Sequence, residues 1–181
     1  MGMDKALLEI EGRLLVEVLA ERLAEVCDEV LLATGEAGRL GRLSYPEVDD
    51  AVAYAGPLAG LVAAFGATGH DLLAVVAVDM PAANPTLLRY LADRVGDEDV
   101  AAPEGPRGLE PLHAVYSRRA LPALTTALHS RRRSMHGVLE QLRVRVCGEG
   151  ELLRAGFGTS FAANVNEPDD LWMLRPPGRA D

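Results

Sequence analysis

Asp79 is the residue with the clearest chemical potential in this chain. It closes the apolar run Leu72 to Val78 (Leu-Leu-Ala-Val-Val-Ala-Val), and Met80-Pro81 then breaks that run. A carboxylate ending so apolar a strand needs a partner for its charge. A hard cation such as Mg²⁺, which takes few protein oxygens and shares the rest with substrate phosphates, is a suitable one. The metal reading outweighs the simpler one, in which Asp79 caps a turn. Lys5 follows Met1-Gly2-Met3-Asp4, which reads as the closing end of a glycine-rich phosphate loop. A lysine there would neutralise charge developing on a leaving phosphate, whereas without context an N-terminal lysine is a solvated surface residue.

Two further segments are chemically suggestive. In Gly56-Pro57-Leu58-Ala59-Gly60, Gly56 permits unusual dihedrals, Pro57 fixes a helix start, and Gly60 allows close approach of another backbone or a ligand. A helix N-terminus suits negative charge, and a tight loop-to-helix joint explains the segment equally well. In Asn164-Val165-Asn166-Glu167-Pro168, alternate residues on a strand share a face. Asn164 and Asn166 could then help hold metal-bound water or a second substrate, and Asn166 could cap the helix that follows. Arg131-Arg132-Arg133 with His136 forms a basic loop that is either a solvated face or a contact for an anionic second substrate. His113, in an apolar strand, is read as structural.

These residues must be positioned by alternating strands and helices, which argues for α/β architecture with a mostly parallel sheet. Helices are expected over about 14–26, 57–67, 84–95, 118–128, 134–142 and 166–174. Strands are expected at 29–33, 72–78, 99–102, 112–116, 143–147 and 161–165. Asp79 would then stand at the carboxyl end of a central parallel strand, the edge where open α/β sheets bind ligands. Residues 1–174 read as a single domain, and 175–181, rich in Pro, Gly and Arg, as a loose tail.

The composition excludes several classes. With 181 residues the chain can bury a full core. Its formal net charge of -9 argues against a nucleic-acid binder, and 4% aromatics leave no stacking platform for single strands. No apolar run is long enough to span a membrane. Cys27 and Cys147 lie far apart without metal-ligand spacing and fit a reduced, cytoplasmic protein. Neither a Gly-x-Ser-x-Gly nor a His-Glu-x-x-His motif occurs.

Five segments in order resemble the molybdenum cofactor guanylyltransferases of the MobA type. They are Met1 to Leu8, Gly56 to Gly60, Val78-Asp79-Met80-Pro81, Glu110 to Tyr116 and Asn164 to Leu171. Each is weak alone, and the set covers nearly the whole chain. The resemblance implies a three-layer, Rossmann-like nucleotidyltransferase fold. The family pattern opens L-A-G-G-x-S-x-R-M-G-x-D-K, of which M-G-x-D-K is present, so the first central strand and most of the loop are expected to be absent. Where the family often has Asn after its second strand, this sequence has Ala33-Thr34-Gly35.

The reaction implied is transfer of GMP from GTP to molybdenum-carrying molybdopterin, with release of pyrophosphate. Lys5 and Asp79 would be catalytic, with Mg²⁺ on Asp79. The nucleotide would meet Lys5, Asp49 or Asp50, Gly56, Pro57, Gly60 and Asp79, and the pterin would meet Asn164 and Asn166. A molybdenum-insertion protein and molybdoenzyme chaperones are the partners implied. Two rival readings stand beside this one. The first is another nucleotidyltransferase, acting as a pterin cytidylyltransferase or on a sugar phosphate. The second is a truncated, non-catalytic protein that binds pterin or nucleotide.

Overall fold

The computed structural model describes residues 8–10, 12–36, 38–41, 43–50, 52, 56–130 and 133–162. A hairpin of β1 (Glu9–Ile10) and β2 (Arg13–Leu14) leads directly into α1 (Leu15–Ala24). Leu15 and Leu19, one turn apart, bury the inner face of α1. The parallel strands β3 (Leu32–Gly35) and β4 (Glu47–Asp49) follow. Pro57 occupies the first turn of α2 (Pro57–Ala67), where its missing N–H costs nothing and its fixed φ suits the helix. After β5 (Leu72–Val76), Asn84 caps α3 (Pro85–Ala92) by accepting the Leu87 N–H at 3.1 Å. Next come β6 (Val100–Gly105), β7 (Gly108–Leu109) and β8 (His113–Ser117). The chain continues through α4 (Leu121–His129), α5 (Met135–Leu139), β9 (Val144–Cys147) and α6 (Glu149–Arg154).

β8 organises the main sheet. It pairs antiparallel with β5 on one side and with β6 on the other, and β6 also carries β7 and, in parallel, β9. Every residue of β8 is buried, as expected of a strand covered on both faces. Its alternate residues divide between two apolar layers. Ala114 and Tyr116 face Leu58, Phe65, Leu124 and Leu128, which come from α2 and α4. Val115 faces Leu87, Leu91, Leu152 and Phe161 on the opposite side. The result is a three-layer α/β fold.

Two expectations need correction. The sheets are mixed rather than mostly parallel: among the described residues only β3–β4 and β6–β9 are parallel ladders. β5 is therefore an antiparallel partner of β8, and its apolar residues are not sealed on all sides. Leu72 is 38% exposed and Leu73 to Val76 are half-buried. The reason is that, among the described residues, β5 pairs only with β8 and β3 only with β4. A cavity of about 890 Å³ opens between the two sheets, lined by both strands and by α1. Of the strand expected at 161–165, residues 161 and 162 belong instead to a short 3₁₀ turn over Ser160–Ala162, and 163–165, with the expected closing helix and tail, lie outside the described residues. The hairpins at the N-terminus and at β6–β7, the short β4, and α6 were not foreseen.

Arg118 ties the sheet to the end of α2. Its guanidinium donates to the carbonyls of Phe65 (2.9 Å), Thr68 (2.7 Å) and His70 (2.7 Å), and so satisfies acceptors left over where the helix stops. Arg118→Ala should destabilise the fold by about 2 kcal/mol, the value of charge-assisted bonds to backbone. Arg118→Lys should recover only part of this, because an ammonium cannot fork. Urea midpoints of the three proteins check the order.

Candidate active site

The cavity between β3 and β5 gathers residues from three loops at the carboxyl ends of these strands. Gly35 ends β3, Asp50 follows β4, Gly56 and Pro57 begin α2, and Asp79 follows β5; all of them, with Gly60, line it. Gly56 has φ of 72°, a left-handed conformation that glycine adopts without a steric penalty. Close packing accounts for Gly60. A Cβ there would stand 2.7 Å from the Ala33 Cβ and 3.5 Å from Asp50 Oδ1, so glycine lets α2 lie against β3 and brings its first turn to the Asp50 carboxylate.

Of the adjacent pair Asp49 and Asp50, only Asp50 lines this cavity; Asp49 is exposed. The Asp50 N–H donates to the Gly35 carbonyl at 3.1 Å, which locks the end of β4 to the end of β3. Burial, helped by the neighbouring Asp49 charge, raises the Asp50 carboxyl above its ordinary value. Thr34, buried in the Ala33-Thr34-Gly35 segment, uses its hydroxyl locally, on Glu47 Oε2 at 2.9 Å and the Glu36 carbonyl at 3.1 Å. Both thiols, Cys27 and Cys147, are pushed up mainly by burial, in keeping with inert cysteines.

A second depression, of about 490 Å³, lies beside the first. Pro57, Ala77, Asp79 and Leu112 border both cavities. The second is basic at its rim: Arg107, Arg133 and His136 line it with Glu110 and Ser134. Burial raises the Glu110 carboxyl, while Arg107 and then His136 pull it back. His136 Nε2 lies 3.1 Å from the Leu109 carbonyl, so this nitrogen carries a proton and the ring is held towards the β6–β7 hairpin. Asp79 thus stands on the wall between a larger cavity whose charged lining residues are mainly carboxylates and a smaller one in which Arg107 and Arg133 join Glu110.

The structure therefore brings together Asp79, Asp50, Gly56, Pro57 and Gly60. Lys5, Asn164 and Asn166 lie outside the described residues. Sequence reading missed Arg107, which the tight Glu104-Gly105-Pro106-Arg107-Gly108-Leu109 hairpin presents to the second depression; the Gly-Pro-x-Gly spacing was the available signal. His113 is structural as expected. It is fully buried, and its Nε2 accepts the Asn84 N–H at 3.0 Å.

Comparison with known proteins decides the family. A family model described as "MobA-like NTP transferase domain" matches residues 1–146. The chain belongs to the MobA-like NTP transferase family. A relative from Pelotomaculum thermopropionicum, named a probable molybdenum cofactor guanylyltransferase, is 36% identical over 97% of this chain and 85% of its own. Another, from Desulfosudis oleivorans, named molybdenum cofactor guanylyltransferase, is 29% identical over 94% and 85%. Among solved structures, molybdopterin-guanine dinucleotide biosynthesis protein A from Archaeoglobus fulgidus superposes with a TM-score of 0.80 at 26% identity, covering 96% of this chain and 89% of that one. A cytidylyltransferase from Thermus thermophilus shares the fold at 18% identity, with a TM-score of 0.62 over 94% and 91%. This MobA-like chain is a nucleotidyltransferase, an enzyme of molybdenum cofactor biosynthesis. No helix among its described residues is long and apolar enough to cross a membrane.

Two outcomes follow from this geometry. Gly60→Ala should cost about 1–3 kcal/mol, as over-packing does, and should displace the first turn of α2 from Asp50; chemical denaturation and a crystal structure of the variant check both. His113 has a pKa lowered by burial to about 4 from 6.5. Between those pH values the unfolded chain takes up a proton that the folded chain refuses. Stability is therefore undiminished above about pH 6.5 and falls as pH drops towards 4, by about 3 kcal/mol in all. In His113→Gln this component should vanish. Urea midpoints from pH 7 to pH 4.5, wild type against variant, measure the difference.

Proposed function

We propose that this enzyme transfers GMP from GTP to the terminal phosphate of molybdenum-carrying molybdopterin and releases pyrophosphate. The observation that carries the reading is that Asp79 and Pro57 border two adjoining cavities, a larger one whose charged lining residues are mainly carboxylates and a smaller one that adds Arg107 and Arg133. GTP is assigned to the larger one, where the first turn of α2 presents backbone N–H groups and the positive end of its dipole to phosphates. The pterin phosphate is assigned to the smaller one, where Arg107, Arg133 and His136 would hold its charge. A terminal phosphate oxygen of the pterin attacks the α-phosphorus, the bond from that phosphorus to the bridging oxygen breaks, and pyrophosphate departs. The protein's part is placement of two anions in line and stabilisation of charge.

The residues fit a divalent cation. Asp79 and Asp50 offer hard carboxylate oxygens to one cavity, and no group of three or more His, Cys, Asp or Glu among the described residues forms a closed metal cage. Mg²⁺ is commonly held in this way, by one or two carboxylates with substrate phosphates completing its shell. When bound, it would neutralise phosphate charge. Asp79 would be its principal ligand, with Asp50 turned to the nucleotide, Lys5 on the leaving pyrophosphate, and Asn164 and Asn166 on the pterin side. The cytoplasm is the expected compartment, and a molybdenum-insertion protein and molybdoenzyme chaperones the expected partners.

Asp79→Ala should lower kcat for GMP transfer by about 10²–10³-fold, the loss typical of removing one electrostatic stabiliser, without changing the circular dichroism melt. Full activity in that variant would overturn the assignment. GTP with Mg²⁺ should raise the melting temperature more than CTP or UTP. The reverse order would favour the cytidylyl reading.

A further inference from the structure

The turn that carries Asp79 is held from outside itself. β5 stops at Val76 and α3 starts at Pro85. Between them the backbone bonds Met80 N–H to Ala77 O and Ala83 N–H to Met80 O, each 3.0 Å, close two tight local turns. Arg22, in the last turn of α1, reaches this segment from about sixty positions away in sequence. Its Nη1 donates to the Pro81 carbonyl at 2.7 Å and its Nη2 to the Ala83 carbonyl at 2.6 Å. From β8, His113 Nε2 accepts the Asn84 N–H at 3.0 Å. Asn84 in turn caps α3. Three successive anchor points, 81, 83 and 84, are thus fixed by two side chains on two other elements.

This arrangement carries a cost that packing alone does not require. Because His113 Nε2 accepts, the ring proton is on Nδ1, and buried Nδ1 finds no hydrogen-bond partner among the described residues. An orphaned buried donor is destabilising, whereas a leucine would pack against Phe161, whose ring centroid is 5.0 Å away, without one. What the imidazole supplies is an acceptor for one backbone N–H of the turn. Arg22 likewise spends both ends of its fork on main-chain carbonyls, which fixes backbone position rather than neutralising a carboxylate.

We propose that Arg22 and His113 are positioning residues, which clamp the 79–84 turn so that the Asp79 carboxylate stays at the junction of the two cavities. The inference rests on the reading of Asp79 as the cation-holding residue. Neither clamp residue touches substrate; each acts through the backbone that bears Asp79.

The test uses the full chain with Arg22→Gln, Arg22→Lys, His113→Leu and Asp79→Asn. Two readouts are independent of turnover: hydrogen exchange of the amides of residues 80 and 82–84, and Mn²⁺ affinity by electron paramagnetic resonance. Arg22→Gln and His113→Leu should speed exchange in this segment and weaken Mn²⁺ about tenfold, the loss typical of removing a group that orients a metal ligand. Half-saturating Mg²⁺ for GMP transfer should rise in step, while GTP affinity without metal holds. Arg22→Lys, with one donor group in place of a fork, should fall between. If Arg22→Gln melts lower yet keeps wild-type Mn²⁺ affinity while Asp79→Asn loses it, the clamp is overturned and the metal reading stands. If Asp79→Asn binds Mn²⁺ as wild type does, the metal reading fails and the clamp's stated purpose fails with it. Should His113→Leu not fold, the two Arg22 variants decide alone.

Discussion

The backbone pairing of β8 is the constraint on which the rest depends. All five of its residues are buried, and a buried strand cannot leave its N–H and C=O groups to water. β5 and β6 meet that demand from either side. The register pairs Val76 with His113, and one step further the Ala77 N–H donates to the Leu112 carbonyl at 3.0 Å. That last bond sets where β5 gives way to a turn. The height of Asp79 above the sheet, and its place beside Pro57 and Leu112, follow from this register rather than from any feature of Asp79 itself.

β5 is secured along one side only. Its other side, like one side of β3, borders the cavity in which the nucleotide reading places GTP. Leu-Leu-Ala-Val-Val is therefore more solvated than its composition suits, at a rate of about 25 cal/mol for each Å² of apolar surface left in water. The packing that holds the two sheets in relation comes from α2. Its first turn touches β3 through the Gly60–Ala33 approach, and its last turn is tied to the β5–β8 pair by Arg118. α2 spans the gap, so its N-terminal turn is set jointly by both sheets, and so is the site it lines.

What the sequence made legible was local. Asn84, Ser134 and Pro57 announce helix starts by chemistry that acts within a turn, and all three helices begin where these residues predict. That Asp79 and the Gly56 to Gly60 segment stand at strand and helix ends was legible from an apolar run ending in a carboxylate and from a Gly-Pro helix start, and the structure places Gly56, Pro57, Gly60 and Asp79 on one cavity. Strand direction was not legible. Leu72 to Val76 reads the same in a parallel or an antiparallel ladder, and only β8 decides. The choice between Asp49 and Asp50 was equally hidden, since it turns on a register irregularity between β3 and β4 at Ala33 and Gly35, and a slip of one residue exchanges the two faces of a strand. Arg22 gave no signal at all, because its partners are carbonyls of a turn distant in sequence.

Charge explains why the two cavities differ. The chain carries a formal net charge of -9, so its distant field opposes the approach of phosphates. At physiological ionic strength such a field is screened beyond about 8 Å, and what an anion meets near the site is set by the groups lining it. Arg107, Arg133 and His136 line the smaller cavity, and an anion seated there gains local attraction. The larger cavity presents Asp50 and Asp79, which would repel a triphosphate unless a cation intervened. On the proposed reading the carboxylates would make the larger cavity dependent on a metal, while Arg107 and Arg133 would let the smaller one take its anion directly. On the same reading the wall carrying Asp79 would serve both, and this asymmetry would order the two substrates in a fold whose overall charge favours neither.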